Sequence, residues 1–210
     1  MKYSILDEIT SLSVDLHISL SSKQLEEIMI HDDFLDRWGR KMNLTSIKDP
    51  SARARRLFME GIVVGDFLQR NGATGPFLDL GSGNGFPAIP MAALCPHARP
   101  LILLESSHKK AAFLRALIRE LTWVEVRVEE RHVASSSDLM EFGCRLFSSR
   151  GVDLSDLLRE GLSFVEPGGL CVLFGSKNRA SLSELPPTLG PEHEIALPWR
   201  DSPIQIVRKA

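Results

Sequence analysis

Pro76-Phe77-Leu78-Asp79-Leu80-Gly81-Ser82-Gly83-Asn84-Gly85-Phe86-Pro87 is the stretch on which the reading turns. The apolar run Phe77–Leu80 leads straight into three glycines at alternate positions, where missing Cβ atoms let a small ligand lie against the backbone. A strand entering such a loop opens a βα unit. The dinucleotide-binding pattern asks for its third glycine three residues after the second. Here Gly85 follows Gly83 by two and Phe86 takes the next place, so that match is imperfect. No Gly-Lys-Ser/Thr follows, which excludes a triphosphate-cradling loop on residue type.

Downstream of Pro76, short apolar runs alternate with helical stretches, the mark of βαβ units and a mostly parallel sheet. Strands are expected at Phe77–Leu80, Leu101–Glu105, 124–128, 145–148 and 170–174, with a turn at Glu166-Pro167-Gly168-Gly169. A helix with Leu114, Leu117, Ile118 and Leu121 on one face is capped at Ser106 or Ser107. Residues 194–199 and 204–207 read as a hairpin around a turn at 200–203, so one strand must run antiparallel.

Upstream of Gly75 the periodicity is helical. Ser21 and Gln24 form a capping box ahead of Leu25, Ile28, Met29, Leu35 and Trp38. Asp49 and Pro50 start another helix carrying Arg53, Arg55, Arg56, Leu57 and Phe58, which Gly61 and Gly65 weaken. The expected organisation is a helical segment, 1–74, and a sheet domain, 75–210, in one compact unit.

With 210 residues, 43% apolar and 25% charged, the chain suffices for one α/β domain with a terminal extension. Cys95, Cys144 and Cys171 are odd in number and far apart, so neither a disulfide framework nor a metal site is expected and they read as core thiols. The N-terminus lacks the apolar centre of a signal peptide and no apolar run reaches membrane length, so a cytoplasmic location is the default. A net charge of −2 argues against binding nucleic acid by overall charge, which leaves only a local patch. Arg37, Arg40, Lys41, Lys48, Arg53, Arg55 and Arg56 cluster in the helical segment, with Lys109 and Lys110 beyond Glu105. They read equally as a track for RNA phosphates or as a solvated helical face diluted by Asp32, Asp33 and Asp36.

Glu105 ends the second strand twenty residues after Gly85, where a carboxylate can accept hydrogen bonds from two ribose hydroxyls. Asp79 adds a second negative charge, which suits a ligand bearing ammonium or sulfonium better than pyrophosphate. Strand, alternating glycines and two acids together point to S-adenosylmethionine. The blander alternative is a tight βα turn beside a solvated strand end.

The run Asp79 to Pro87, followed by Ile89-Pro90, resembles the first motif of the RsmG (GidB) family, bacterial small-subunit ribosomal RNA guanine-N7 methyltransferases. The likeness extends to Glu105-Ser106, Lys109-Lys110, Phe113-Leu114, Trp38, Asn43-Leu44-Thr45, Ser149-Arg150 and Pro167-Gly168-Gly169, over about residues 34 to 175. It implies a Rossmann-like class I methyltransferase fold, α/β, with a mostly parallel seven-stranded sheet, one antiparallel strand and an N-terminal helical segment. It also implies that Gly81 and Phe86 line the cofactor pocket, that His132 and Val133 meet the adenine, and that Arg150 sits close to cofactor and target. The cofactor-binding set is then Asp79, Gly81, Gly83, Gly85, Phe86, Glu105, His132 and Val133, with Arg150 catalytic and Arg40, Lys41, Arg53, Arg56, Lys109 and Lys110 toward RNA. The expected partner is small-subunit rRNA or the 30S particle, with the oligomeric state left open and a monomer favoured. The chain departs from the family at Leu57, Glu60 and Gly61, where His and Asp-Ser are usual, and at Val133, Gly151 and Phe174.

Guanine N7 offers an in-plane lone pair and no proton, so attack on a sulfonium methyl needs no general base. Neither an Asn/Asp-Pro-Pro-aromatic cluster nor a suitably placed nucleophilic cysteine is visible, which favours a lone-pair acceptor without naming it. Arg150 can hydrogen-bond guanine O6 or a phosphate, or else pair with Asp153. A small-molecule or protein acceptor on the same scaffold, or a non-catalytic cofactor- or RNA-binding relative, are the competing readings.

Overall fold

The computed structural model describes residues 4–39, 42, 44–175 and 186–210. Helix α1, Ile5–Asp15, starts at a Ser4–Asp7 capping box, and α2, Ser22–Gly39, follows the Ser21–Gln24 box foreseen from the sequence. Asp49 caps α3, Pro50–Arg53, by accepting from the Ala52 N–H at 2.7 Å. A π-helical stretch, Ala54–Met59, continues it into α4, Glu60–Arg70. The alternating half follows as β1, Phe77–Leu80; α5, Ala88–Leu94; β2, Leu101–Glu105; α6, His108–Glu120; β3, Val126–Glu130; and a 3₁₀ segment, Ser136–Phe142. The chain then forms β4, Cys144–Ser149; α7, Ser155–Arg159; β5, Val165–Leu173; β6, Leu189–Ile195; and β7, Ile204–Lys209.

The seven strands lie in the order β3-β2-β1-β4-β5-β7-β6. Neighbours from β3 to β5 are parallel, and β7 runs antiparallel to both β5 and β6. The order reverses between β1 and β4, the point at which open α/β sheets bind ligands beyond their strand ends. One buried cluster joins α1, α2 and α4 to α5, α6 and one face of the sheet, and a second lies under α7 on the other face. The three cysteines are free and buried.

Several boundaries differ from expectation. The third strand begins two residues later than expected because Thr122 and Glu125 take positive φ values of 54° and 56°, leaving Val124 77% exposed in a turn. Glu166–Gly169 is a bulge within β5 instead of a turn before it: β4 advances from Cys144 to Leu146 while its partner advances from Val165 to Leu170. The first arm of the hairpin ends at Ile195, ahead of Pro198, whose missing N–H suits it to the connection that carries Trp199 and Arg200.

Gly61 and Gly65 are not weak points in α4. A Cβ at Gly61 would stand 2.8 Å from both Pro87 O and Pro90 Cβ, and one at Gly65 2.7 Å from Leu94 Cβ and Met91 O. Only glycine lets α4 approach α5 this closely.

Candidate active site

Gly81, Gly83 and Gly85 all take positive φ, at 74°, 56° and 90°. Their surroundings differ. A Cβ on Gly81 would collide with Val152 Cγ2, and one on Gly85 would stand 2.6 Å from Ile89 Cδ1 and 3.2 Å from His31 Cε1. A Cβ on Gly83 would meet nothing nearer than Gly81 O at 3.8 Å among the described residues, so of the three glycines this one leaves its open side for a ligand.

The loop is held from outside. His31 on α2 contacts Asn84 O through Nε2 at 2.8 Å, and Asn84 Nδ2 donates to Leu44 O at 2.9 Å. Burial depresses the His31 pKa to about 4, despite the support of the Asn84 carbonyl. The ring is therefore neutral, and because a carbonyl only accepts, Nε2 must carry the proton. The Phe86 ring is 4% exposed, stacked on His31 at 4.3 Å and edge-on to Phe58, so it packs among the side chains that hold the loop.

The two acids occupy different surroundings. Glu105 ties the crevice together: Oε2 accepts from the Gly83 N–H at 2.8 Å and Oε1 from the Ser107 N–H at 2.7 Å. Each oxygen has a second lone pair for another donor. Asp79 lies deeper, with Oδ1 accepting from the Ser148 hydroxyl and Oδ2 buried without a partner among the described residues. Burial raises its pKa to about 6, against the lowering bonds from Ser148 and Ser82, and nearby Glu105 adds to the rise. β3 ends level with Glu105, which pairs in register with Glu130, and the following His132 is exposed while Val133 is half-buried.

A cavity of about 580 Å³ is lined in part by Val152, the side chain that packs on Gly81. Arg150 lines it but does not make the Asp153 pair considered above among its described contacts. Its Nη1 donates to Arg56 O at 2.7 Å and lies 3.5 Å from Glu60 Oε2. Arg200, from the β6–β7 connection, reaches the same Glu60 oxygen at 2.5 Å and donates to Phe174 O at 2.8 Å. Glu60 is 1% exposed, and burial raises its pKa although Arg150 and Arg200 pull it back.

A family model described as rRNA small subunit methyltransferase G, GidB, matches residues 24–185. The chain is 31% identical over 204 residues to the ribosomal RNA small subunit methyltransferase G of Colwellia psychrerythraea, covering 93% of this chain and 92% of that one. It is 35% identical to the protein of that name from Klebsiella pneumoniae, over 60% of each chain. This chain belongs to the GidB family. Its fold matches that of an O-methyltransferase from Bacillus cereus in complex with SAH, with a TM-score of 0.60, 15% identity, and coverage of 95% and 96% of the two chains. The sheet and these neighbours make it a Rossmann-like class I methyltransferase fold, as expected.

Membership puts the remaining residues in context. Gly61 is required here by the close approach of Pro87 O and Pro90 Cβ. Arg53 is 9% exposed and its two terminal nitrogens pair with Asp32 and Asp36, which makes it a brace between α2 and α3. Arg56 is exposed at the cavity, and Lys109 and Lys110 stand on the first turn of α6. Arg40 and Lys41 lie outside the described residues, as does Asn43. His31 and Arg200 escaped the sequence reading, and Glu60 entered it only as a departure from the family, with no role assigned. A histidine three residues after Ile28 on an apolar face was the one available signal; nothing in the sequence marks Arg200. Among the described residues no group of His, Cys, Asp or Glu could hold a metal, and no helix is long and apolar enough to cross a membrane.

Proposed function

We propose that this protein methylates N7 of a guanine in 16S rRNA, within naked RNA or the 30S particle, as a cytoplasmic monomer using S-adenosylmethionine. The observation that carries the reading is the juxtaposition of the Glu105-braced opening at Gly83 with the arginine-lined cavity bordered by Val152.

The donor set suits the cofactor: an open glycine, a carboxylate with spare lone pairs, and a second carboxylate whose buried Oδ2 lacks a partner among the described residues. When bound, S-adenosylmethionine supplies a methyl group made electrophilic by its sulfonium. Glu105 accepts the ribose hydroxyls, the Gly81–Gly85 backbone supports the methionine portion, and His132 with Val133 borders the adenine. Asp79, mostly ionised at neutral pH, favours the positive end of the ligand. On the acceptor side Arg150 holds guanine O6 or a phosphate, while Arg56, Lys109 and Lys110 follow the RNA backbone. N7 needs no base, so alignment is the protein's main contribution and is worth several kcal/mol.

Incubation with methyl-labelled cofactor and either 16S rRNA or 30S subunits, followed by digestion to nucleosides, tests this. Label in 7-methylguanosine is expected. Label in another nucleoside, or binding without transfer, would overturn the assignment.

A further inference from the structure

We propose that Glu60 is a positioning residue that joins Arg150 and Arg200 into one acceptor-holding pair, with Arg200 a second target-side residue. The inference rests on the reading above for the identity of the acceptor. Arg150 follows β4 and Arg200 comes from the β6–β7 connection, fifty residues away in sequence, yet both face one carboxylate oxygen on α4. Glu60 is nearly inaccessible, so a carboxylate there is costly unless its partners are fixed. Those partners line the cavity instead of burying themselves away from it.

The geometry gives each group a distinct task. Arg200 spends Nε on Ser202 O at 3.0 Å, Nη1 on Glu60 and Nη2 on Phe174 O, which fixes the plane of its fork. A guanidinium has five N–H donors, so such anchoring still leaves donors for an incoming oxygen. Arg150 is anchored through Nη1 alone among the described residues. With Arg56 also present, the cavity wall carries three guanidinium charges against two carboxylates, buried Glu60 and exposed Asp201, a net excess of one positive charge that suits an electron-rich nucleotide edge or its phosphate. Trp199 lines the same cavity, and its indole Nε1 is buried without a partner among the described residues.

The test compares wild type with Glu60→Gln, which keeps side-chain volume and removes charge, and Glu60→Asp, which keeps charge. In methyl transfer to 16S rRNA, Glu60→Gln should lower kcat/KM by roughly tenfold to a hundredfold. SAH affinity by calorimetry should stay within about twofold, and Glu60→Asp should recover part of the loss. Matched losses of SAH affinity and transfer would make Glu60 a structural residue only.

A second readout does not depend on the acceptor. Phenylglyoxal modification, mapped by mass spectrometry, should accelerate several-fold at Arg150 and Arg200 in Glu60→Gln while exposed Arg56 is unchanged. Unaltered rates at both arginines would refute the pairing. If wild-type protein transfers nothing to rRNA or 30S subunits, the proposed function fails, and the role of Glu60 is then decided by these rates. If Glu60→Gln does not fold, Glu60→Asp and Arg200→Lys carry the same comparisons.

Discussion

Asp79 and Glu105 stand on neighbouring parallel strands, yet their environments set them apart. Glu105 has both oxygens answered by backbone N–H groups, whereas Asp79 is buried with one oxygen lacking a partner among the described residues. Glu105→Ala should therefore weaken S-adenosylmethionine binding by about 1.5–3 kcal/mol, by removing a ribose acceptor and freeing two loop donors. Calorimetric affinity equal to wild type would remove Glu105 from the binding site. For Asp79 the folded pKa of about 6 lies above the ordinary value of 3.8, so the folded state holds its proton longer than the unfolded chain. Its contribution is most favourable below pH 4 and is lost as pH rises through 6. Asp79→Asn should then gain about 1–2 kcal/mol at pH 7.5, the linkage of roughly 3 kcal/mol less the cost of one unpaired amide. Urea melts at pH 4 and 7.5 decide it; an equal change at both would contradict the burial argument.

Helix α2 acts on the glycine loop through a single histidine. Because the His31 pKa falls from 6.5 to about 4, its contribution is complete above pH 6.5 and is lost as pH falls toward 4. His31→Phe preserves the stack on Phe86 but gives up the bond to Asn84 O. The variant should lose about 3 kcal/mol less than wild type between pH 6.5 and 4. Parallel pH profiles for the two proteins would show that His31 titrates normally. The contact of α4 with α5 is governed by space. Gly65→Ala should cost about 1–3 kcal/mol in chemical denaturation despite the better helix propensity of alanine, because its Cβ meets backbone. A neutral or stabilising result would mean that the helices separate without penalty.

Across the whole molecule, the apolar cluster that begins at Ile5 and Ile9 runs without interruption into Phe113 and the hairpin residue Ile204. We propose that residues 1–74 and 75–210 unfold as one unit, with coincident transitions by tryptophan fluorescence and far-ultraviolet circular dichroism. Two separated transitions would make the helical segment an independent domain. The same continuity places residues from α4, the segment after β4 and the β6–β7 connection at one cavity, and no single element contains enough of that site to reveal it.

Local chemistry determined much of this protein before any fold was known. Glycine spacing, the acid ending β2, the caps at Ser21 and Asp49 and the alternation of apolar runs are near-neighbour properties, legible because propensity, periodicity and turn chemistry act over a few residues. Tertiary structure alone decided which glycine stays open, why Phe86 and Arg53 face inward, and which carboxylate gathers Arg150 and Arg200. Those outcomes depend on packing and desolvation between segments far apart in the chain, and only the closed fold brings these segments into contact.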